Sequence, residues 1–195
     1  MPITASTILD TDFGELRVNY HKMDSGFCLS FVMGDVTKGI PIIRIHSSCL
    51  FGESFSSRHC DCDEQLEFAM DIIQKGGAGI IIYFYQEGRG AGLENKIKAM
   101  EVEREFGIDT IEAYKKIGLR KHDYRDYKCE VEALKELNTS KEIIFFTGSP
   151  EKIKALENEG FKIKEFIEFN SQNLSEKARK EIEIKKKKMG YNYRI

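Results

Sequence analysis

Hydrophobic residues alternate with polar ones in several short stretches of the chain. Between residues 14 and 34 this alternation runs up to a polar turn at 24–26 and resumes after it. Alternation on both sides of a turn predicts two antiparallel strands joined as a hairpin. The apolar stretch 42–46 predicts a third strand, and the continuous apolar run 80–85 predicts a buried central strand.

Helical spacing appears between the predicted strands. From residue 63 to the glycine pair 76–77, apolar residues recur every three or four positions, which predicts a helix that ends at the glycines. The glycine-rich segment 86–92 connects the central strand to a second helical pattern that includes Ile97 and Met100. In α/β folds, ligands bind at such strand-to-helix connections.

A second strand-to-helix connection follows a strand predicted at 143–146. Ser149 is a residue type that caps helices, and Pro150 is favoured in the first helical position. Residues 161–166 alternate again and predict a last strand.

Strands that alternate with helices after an antiparallel start predict an α/β fold of mixed α+β character. We expect a single domain with a mixed sheet, antiparallel N-terminal strands, flanking helices and a polar C-terminal tail. A length of 195 residues suits one domain better than two. We place the domain at residues 1–170 and a partly helical tail at 171–195.

Composition excludes several classes of protein. Hydrophobic residues make up 41% of the chain and charged residues 32%, which is too apolar for a disordered chain. The longest apolar run, 80–85, is far shorter than the roughly 20 residues that span a bilayer. This short run predicts no membrane partner. The chain has 30 basic and 32 acidic side chains, so a nucleic-acid binder would have to gather its positive charge locally, and we expect no nucleic-acid polymer as partner. The N-terminus has no secretory signal, so we expect a cytoplasmic protein with reduced thiols.

Three of the five cysteines lie on one predicted loop, 47–62. The spacing of Cys49, Cys60 and Cys62 is C-x10-C-x-C. Three thiolates suit zinc and leave a fourth position to water, whose pKa zinc lowers to about 7. The alternative is a closed structural site completed by His46 or His59. The zinc deaminase motif, H-x-E followed by P-C-x-x-C, does not occur in the chain.

Two further segments carry residues suited to anions and proton transfer. The loop 88–92 offers backbone N–H groups and Arg89 at a helix start, and Lys152 can add a second positive charge. The loop matches neither a Walker motif nor a dinucleotide fingerprint, and its alternative interpretation is a flexible turn. Asp123 lies two residues before Arg125, which suits proton transfer beside a phosphate, or else a surface salt bridge.

Several segments together resemble the GTP cyclohydrolase II family, whose members carry out the first step of riboflavin synthesis. They occur in the family's order and near its spacing from about residue 10 onward. The segments are Arg44-Ile45-His46-Ser47-Ser48-Cys49, Cys60-Asp61-Cys62 with Gln65, Gln86-Glu87-Gly88-Arg89-Gly90-Ala91-Gly92, Asp109-Thr110, Asp123-Tyr124-Arg125, and Thr147 with Pro150.

The resemblance implies a role for each matching residue. Cys49, Cys60 and Cys62 become ligands of one Zn²⁺ per subunit, Asp123 the proton acceptor, and Arg125 the nucleophile in pyrophosphate release. The implied GTP site comprises Arg44, Ile45, His46, Ser47, Ser48, Gln65, Glu87, Gly88, Arg89, Thr110, Thr147 and Lys152. It also implies Mg²⁺ at the triphosphate, a homodimer, and opening of the guanine imidazole ring at C8. The products would be formate, pyrophosphate and a diamino-pyrimidinone ribosylamino 5′-phosphate.

Three positions depart from the family's pattern. Ser48 stands where glutamate is usual, Asp63 where glycine is usual, and Met100 where a tyrosine usually faces the site. Because a thioether donates no hydrogen bond, we hypothesise that the product keeps its formyl group. The alternatives are that methionine merely packs and turnover is complete, that the chain serves another pathway, or that it is a non-catalytic nucleotide-binding module. A preceding dihydroxybutanone-phosphate synthase segment is not expected at this length.

Overall fold

A computed structural model describes residues 3–23, 26–169 and 174–192. One mixed sheet of seven strands runs through it in the order β1-β2-β3-β5-β4-β6-β7. The strands are β1 Ile3–Thr11, β2 Gly14–Met23, β3 Gly26–Met33, β4 Ile42–Ser47, β5 Gly79–Phe84, β6 Glu142–Phe146 and β7 Lys162–Ile167. The pairs β1–β2, β2–β3 and β3–β5 are antiparallel, and the pairs β5–β4, β4–β6 and β6–β7 are parallel. The predicted mixed α/β class is therefore confirmed.

Helices flank the sheet on both faces. They are α1 Leu50–Phe55, α2 Cys62–Gly76, α3 Leu93–Phe106, α4 Thr110–Lys116, α5 Lys128–Glu136, α6 Pro150–Glu157 and α7 Glu176–Met189, with a 3₁₀ turn at Glu87–Gly90. On one face, fully buried Leu134 of α5 and Leu156 of α6 pack with Ile80 of the central strand. On the other face, Ala69 and Ile73 of α2 are buried. No helix in the described part of the chain is long and apolar enough to cross a membrane.

Most of the predicted strands lie where the apolar pattern placed them. β2 and β3 pair as the expected hairpin with Met23 opposite Gly26, although turn residues 24 and 25 lie outside the described residues. β1 was not predicted from the sequence. All its side chains from Ile3 to Asp10 are exposed, so burial imposes no alternation on that strand.

The segment between β4 and α2 is more ordered than the sequence indicated. The expected loop 47–62 contains the short helix α1. Helix α4 was also missed, although Asp109 is its N-cap and accepts hydrogen bonds from Ile111 N at 2.9 Å and Glu112 N at 3.1 Å. Ser149 and Pro150 occupy the N-cap and N1 positions of α6 as predicted, but the Ser149 side chain makes no capping hydrogen bond.

The parallel half of the sheet determines where the site forms. Strands β4, β5 and β6 run in the same direction, so their carboxyl ends meet at one edge of the sheet. The chain leaves these ends into the cysteine segment, the glycine-rich turn and the start of α6, respectively. Ligands bind at this edge in open α/β sheets.

Candidate active site

A cavity of about 1040 Å³ opens at the carboxyl ends of β4, β5 and β6. It brings together most of the residues that the sequence singled out. These are Arg44, His46, Ser47, Ser48, Cys49, Cys60, Cys62, Gln65, Glu87, Gly88, Arg89, Met100, Thr110, Arg125, Thr147 and Lys152. Two predicted residues do not line it. Ile45 is fully buried in the core, and Asp123 is bound to Arg125.

Three cysteine thiols form the one potential metal-binding cluster in the described part of the chain. The Sγ atoms of Cys49, Cys60 and Cys62 all lie within 4.8 Å of one another, and Cys49 and Cys60 are 3.6 Å apart. Sulfur ligands of a tetrahedral zinc ion stand roughly 3.8 Å apart, since each zinc–sulfur bond is about 2.3 Å. The donor set and its spacing therefore fit Zn²⁺. Neither His46 nor His59 joins the cluster.

Gly52 of α1 makes room for this cluster. A Cβ atom at this position would lie 2.9 Å from Cys60 Sγ and 3.3 Å from Cys49 Sγ, closer than ordinary van der Waals contact. The helix can therefore pass over the thiols only because residue 52 lacks a side chain.

The surroundings of the cluster favour a thiolate at Cys49. Hydrogen bonding from Cys60 and Cys62, followed by the charge of Lys96, lowers the pKa of Cys49. The hydrogen bond to Cys49 raises the pKa of Cys60 to about 11. Lys96 Nζ lies 3.3 Å from Cys49 Sγ and 2.7 Å from Glu87 Oε2, and Glu87 Oε1 accepts from the backbone N–H of Leu50. Thiolates are the form that binds metal.

Glu53 of α1 ties the cysteine segment to the sheet. It accepts hydrogen bonds from Cys49 N at 2.7 Å and from Tyr83 Oη at 2.5 Å. His46 Nε2 lies 3.1 Å from the same carboxylate, and burial lowers the pKa of His46 to about 4. His46 is therefore a neutral imidazole at physiological pH. Sequence reasoning missed both Glu53 and Tyr83, since neither belongs to a recognisable motif.

A buried polar chain lies on the floor of the cavity. Arg44 Nη2 donates to Gln65 Oε1 at 2.5 Å, and Gln65 Nε2 donates to Asp61 Oδ2 at 2.6 Å. Beside this chain, the hydroxyls of Ser47 and Ser48 are buried without a hydrogen-bond partner among the described residues. Buried polar groups in native proteins are normally hydrogen-bonded, so these hydroxyls point to a polar ligand.

The glycine-rich turn presents Arg89 to the cavity. Gly88 and Arg89 have φ values of 57° and 56°, a conformation that is uncommon for arginine. Tyr114 Oη donates to Gly88 O at 2.8 Å, and Tyr124 N donates to Arg89 O at 2.8 Å. A Cβ on Gly90 would lie 2.9 Å from the Tyr124 carbonyl carbon, so this position requires glycine. These contacts hold the turn in a strained geometry that directs Arg89 inward.

Asp123 and Arg125 form a bidentate ion pair. Arg125 donates from Nε at 3.0 Å and from Nη2 at 2.5 Å to the two carboxylate oxygens. Burial by itself would raise the pKa of Asp123, but hydrogen bonding and the charge of Arg125 lower it. This pair is the surface salt bridge considered from sequence, except that the Arg125 side chain is only 10% exposed and lines the cavity.

Lys152 is a buried amine in the same cavity. Its Nζ donates to Ile45 O at 2.9 Å, and its residue exposure is 6%. Burial, and then the positive charges of Arg44 and Arg125, lower the pKa of Lys152 well below its ordinary value. A lysine whose charged form is disfavoured in this way regains its charge beside an anion, so its position next to two arginines indicates a site for a strongly anionic ligand.

Helix α7 lies within the segment that the sequence described as a polar tail, and it contributes one wall of the cavity. Glu181 forms an ion pair with Arg89, Tyr191 Oη accepts from Arg125 Nη2 at 2.8 Å, and Lys188 pairs with Asp109. No pattern along the chain predicted these contacts. Residues 171–173 and 193–195 of the same predicted tail, and residue 170 at the end of the predicted domain, lie outside the described residues.

Comparisons of the sequence with family models and with curated proteins point to the same family. The family model described as GTP cyclohydrolase II matches residues 3–168. A riboflavin biosynthesis protein RibBA from Chlorobium phaeovibrioides is 37% identical over 187 residues, covering 94% of this chain and 44% of that protein. RibBA from Bacillus subtilis is also 37% identical over 187 residues, covering 94% of this chain and 46% of that protein. The chain thus spans less than half the length of these curated relatives.

A solved structure shows a weaker likeness. The two-domain 3,4-dihydroxy-2-butanone 4-phosphate synthase RibBX from A. baumannii has a TM-score of 0.45 and 12% identity, over 86% of this chain and 39% of that one.

Proposed function

The chain belongs to the GTP cyclohydrolase II family, and on this premise we propose that it hydrolyses GTP, opening the guanine imidazole ring at C8 with release of formate and pyrophosphate. One observation carries the proposal. A three-cysteine cluster that fits zinc shares a cavity with the basic side chains of Arg89, Arg125 and Lys152. This combination suits a nucleotide whose base is attacked by water and whose phosphates need neutralising.

The cysteine cluster would hold the metal. Cys49, Cys60 and Cys62 would bind Zn²⁺, which when bound supplies a water whose pKa is low enough to yield hydroxide at neutral pH. Glu53 and Lys96 fix the cysteine segment from two sides, through the Cys49 backbone N–H and the Cys49 sulfur. Such supporting contacts keep metal ligands in place and tune the metal's affinity.

The base and phosphate ends of the nucleotide would lie at different walls of the cavity. The hydroxyls of Ser47 and Ser48, which have no partner among the described residues, lie next to the first cysteine and suit the polar edge of a guanine. Lys152 suits the phosphates, and so does Arg89, whose buried Nη1 has no hydrogen-bond partner in the part of the chain that the structure describes. Backbone or side-chain groups of Thr110 and Thr147 would complete the site, and Mg²⁺ would accompany the triphosphate.

Asp123 and Arg125 would act on the phosphate chain. In our proposal the Arg125 guanidinium attacks the α-phosphorus and displaces pyrophosphate, while Asp123 accepts the proton that the guanidinium loses. Water then cleaves the phosphorus–nitrogen bond to restore Arg125. The bidentate geometry supports this role, because the accepting oxygen already receives the Arg125 Nη2 hydrogen at 2.5 Å.

Met100 leaves the final product open to two outcomes. Its thioether lines the cavity, and it donates no hydrogen bond where the family's usual tyrosine would. Full turnover gives the diamino-pyrimidinone nucleotide of riboflavin synthesis, whereas impaired deformylation gives the formylamino-pyrimidine nucleotide. Formate measured against GTP consumed distinguishes them, and Met100→Tyr should raise a ratio that is below one. Ser48 and Asp63 are the other departures that fit a divergent paralogue.

The setting of the reaction follows the family. We propose a cytoplasmic homodimer with residues 1–170 as the catalytic domain and the remaining segment as a C-terminal extension. The second candidate function is a nucleotide-binding module without catalysis. The partly buried Asp123–Arg125 pair favours the enzyme, since binding alone does not require a carboxylate in that position.

Removing one metal ligand separates the two functions. We expect Cys60→Ala to lose bound zinc and GTP ring opening, measured by metal analysis and by loss of the guanine absorbance. Cys129→Ala is the matched control, because Cys129 is a buried cysteine that does not line the cavity. Ring opening that persists in zinc-free Cys60→Ala would contradict the proposal, and GTP binding without ring opening in the wild type would favour the binding module.

A further inference from the structure

Glu181 forms an ion pair with Arg89, the residue proposed to bind phosphate. Its Oε1 lies 2.5 Å from Arg89 Nη2, and the two side chains are only 22% and 10% exposed. An arginine receives carboxylate and phosphate oxygens with the same donor geometry. The Glu181 carboxylate therefore holds a position on Arg89 that a phosphate oxygen would take.

A second carboxylate lies close to the same place. Glu103 of α3 lines the cavity, and burial, followed by the negative charge of Glu181, raises its pKa to about 7. Two carboxyl groups on this wall make the neighbourhood of Arg89 unfavourable for an additional anion as long as Glu181 stays in place.

The structure provides another cation for Glu181. Lys185 Nζ, one helical turn further along α7, lies 3.8 Å from Glu181 Oε1 and its side chain is 16% exposed. The same carboxylate oxygen is thus within ion-pair distance of both cations, so Glu181 keeps a positively charged neighbour when an anion takes Arg89. The helix itself is anchored beyond both ends, by Ser175 Oγ on Arg58 O and by Asn192 N on Gly148 O.

From these contacts we propose that Glu181 is a specificity-determining residue that competes with phosphate for Arg89, and so lowers the affinity of the site for phosphorylated ligands relative to nucleosides. Its carboxylate neutralises Arg89 when no phosphate is present, and a triphosphate must displace it onto Lys185 before Arg89 becomes available. Ligands that do not reach Arg89, such as guanosine, meet no such competition. The inference rests on the proposed function only in that Arg89 is taken to bind phosphate.

Inorganic tripolyphosphate tests the competition directly by isothermal titration calorimetry. Because charge-assisted hydrogen bonds contribute more than neutral ones, we expect Glu181→Gln to bind tripolyphosphate about tenfold more tightly than the wild type. Glutamine is a good helix former, so α7 should be preserved. Glu176→Gln is the control on the same helix, since its carboxylate is 83% exposed and does not line the cavity, and it should change the dissociation constant less than twofold.

The gain must depend on Arg89. In an Arg89→Met background, Glu181→Gln should alter tripolyphosphate affinity less than twofold, and guanosine affinity should be the same in all variants. The proposal is overturned if Glu181→Gln binds tripolyphosphate no more tightly than the wild type, if neither protein binds it, or if the gain survives without Arg89.

A separate assay keeps this inference distinct from the proposed function. If the tripolyphosphate pattern is found but GTP stays intact, the role of Glu181 holds and the proposed reaction fails. If GTP is opened but Glu181→Gln leaves tripolyphosphate affinity unchanged, the reaction holds and the role of Glu181 fails.

Discussion

Substituting Gly52 by alanine should favour helix α1 but crowd the three cysteine thiols. In an unconstrained helix this change stabilises by about 1 kcal/mol, because alanine has the higher helix propensity. Here the new Cβ would lie 2.9 Å from Cys60 Sγ and 3.3 Å from Cys62 Cβ. Restoring ordinary contact requires a shift of roughly 0.6 to 1 Å.

That shift exceeds what a zinc site tolerates. Metal–ligand distances in functional sites stay within roughly 0.2 Å of their ideal values. Cys60 Sγ therefore cannot both move away from the new methyl group and keep its distance to the metal. Disturbing the support of metal ligands typically lowers affinity by roughly 10- to 100-fold, which corresponds to about 1.4 to 2.7 kcal/mol. We therefore expect Gly52→Ala to bind zinc 10- to 100-fold more weakly while its thermal stability without metal stays equal or rises.

Competition with a chromophoric chelator measures the zinc affinity. Gly76→Ala is the matched control, since its Cβ would lie 2.8 Å from the flexible Cδ1 of Ile42, and the described atoms within 4 Å of it include no sulfur. We expect its zinc affinity to equal that of the wild type. Wild-type zinc affinity in Gly52→Ala would refute the inference that the three thiols share one metal beneath α1.

Three further predictions concern buried ionisable groups. Asp123→Asn should slow pyrophosphate release at least 100-fold, because Arg125 loses its proton acceptor; a rate within threefold of the wild type would exclude that role. The pKa of His46 is lowered to about 4 in the folded protein, so the neutral form is favoured and stability should fall by a few kcal/mol as pH drops from about 6.5 to 4. In denaturant unfolding, the free energy of unfolding of His46→Asn should fall less steeply with falling pH over that range than that of the wild type. An equally steep fall would argue against a buried neutral His46. Burial raises the pKa of Glu130 to about 7, so its ionisation destabilises the fold as pH rises; Glu130→Gln should be more stable than the wild type by about 2 to 3 kcal/mol at pH 8 and little changed near pH 5, whereas exposed Glu132→Gln should match the wild type at both.

The sequence predicted the interior of the fold better than its edges. Strands β4, β5 and β6 are largely buried, so each is rich in isoleucine or phenylalanine and can be identified without a structure. β1 could not be found in this way because its side chains face solvent from Ile3 to Asp10. Its place in the sheet depends on backbone pairing with β2, which leaves no pattern in the side chains.

The candidate site divides along similar lines. The cysteines and the inward-facing arginines belong to motifs, so residue type and spacing were enough to predict them. Glu53 and Lys96 are ordinary helix residues whose roles depend on which thiol and which backbone N–H they contact, and only the tertiary structure shows this. Lys185 and Lys187 belong to the segment that the sequence described only as a polar tail, yet both line the cavity. Asp109 was the one missed signal, since an aspartate before a helical pattern is a known N-cap.

The most direct test of the account is a mass spectrum of GTP incubated with the zinc-loaded protein and Mg²⁺. The account predicts loss of GTP, one pyrophosphate for each GTP consumed, and a ring-opened pyrimidine nucleotide whose mass reports whether the formyl group has left. GTP that remains intact in the presence of folded, zinc-loaded protein would contradict the proposed reaction.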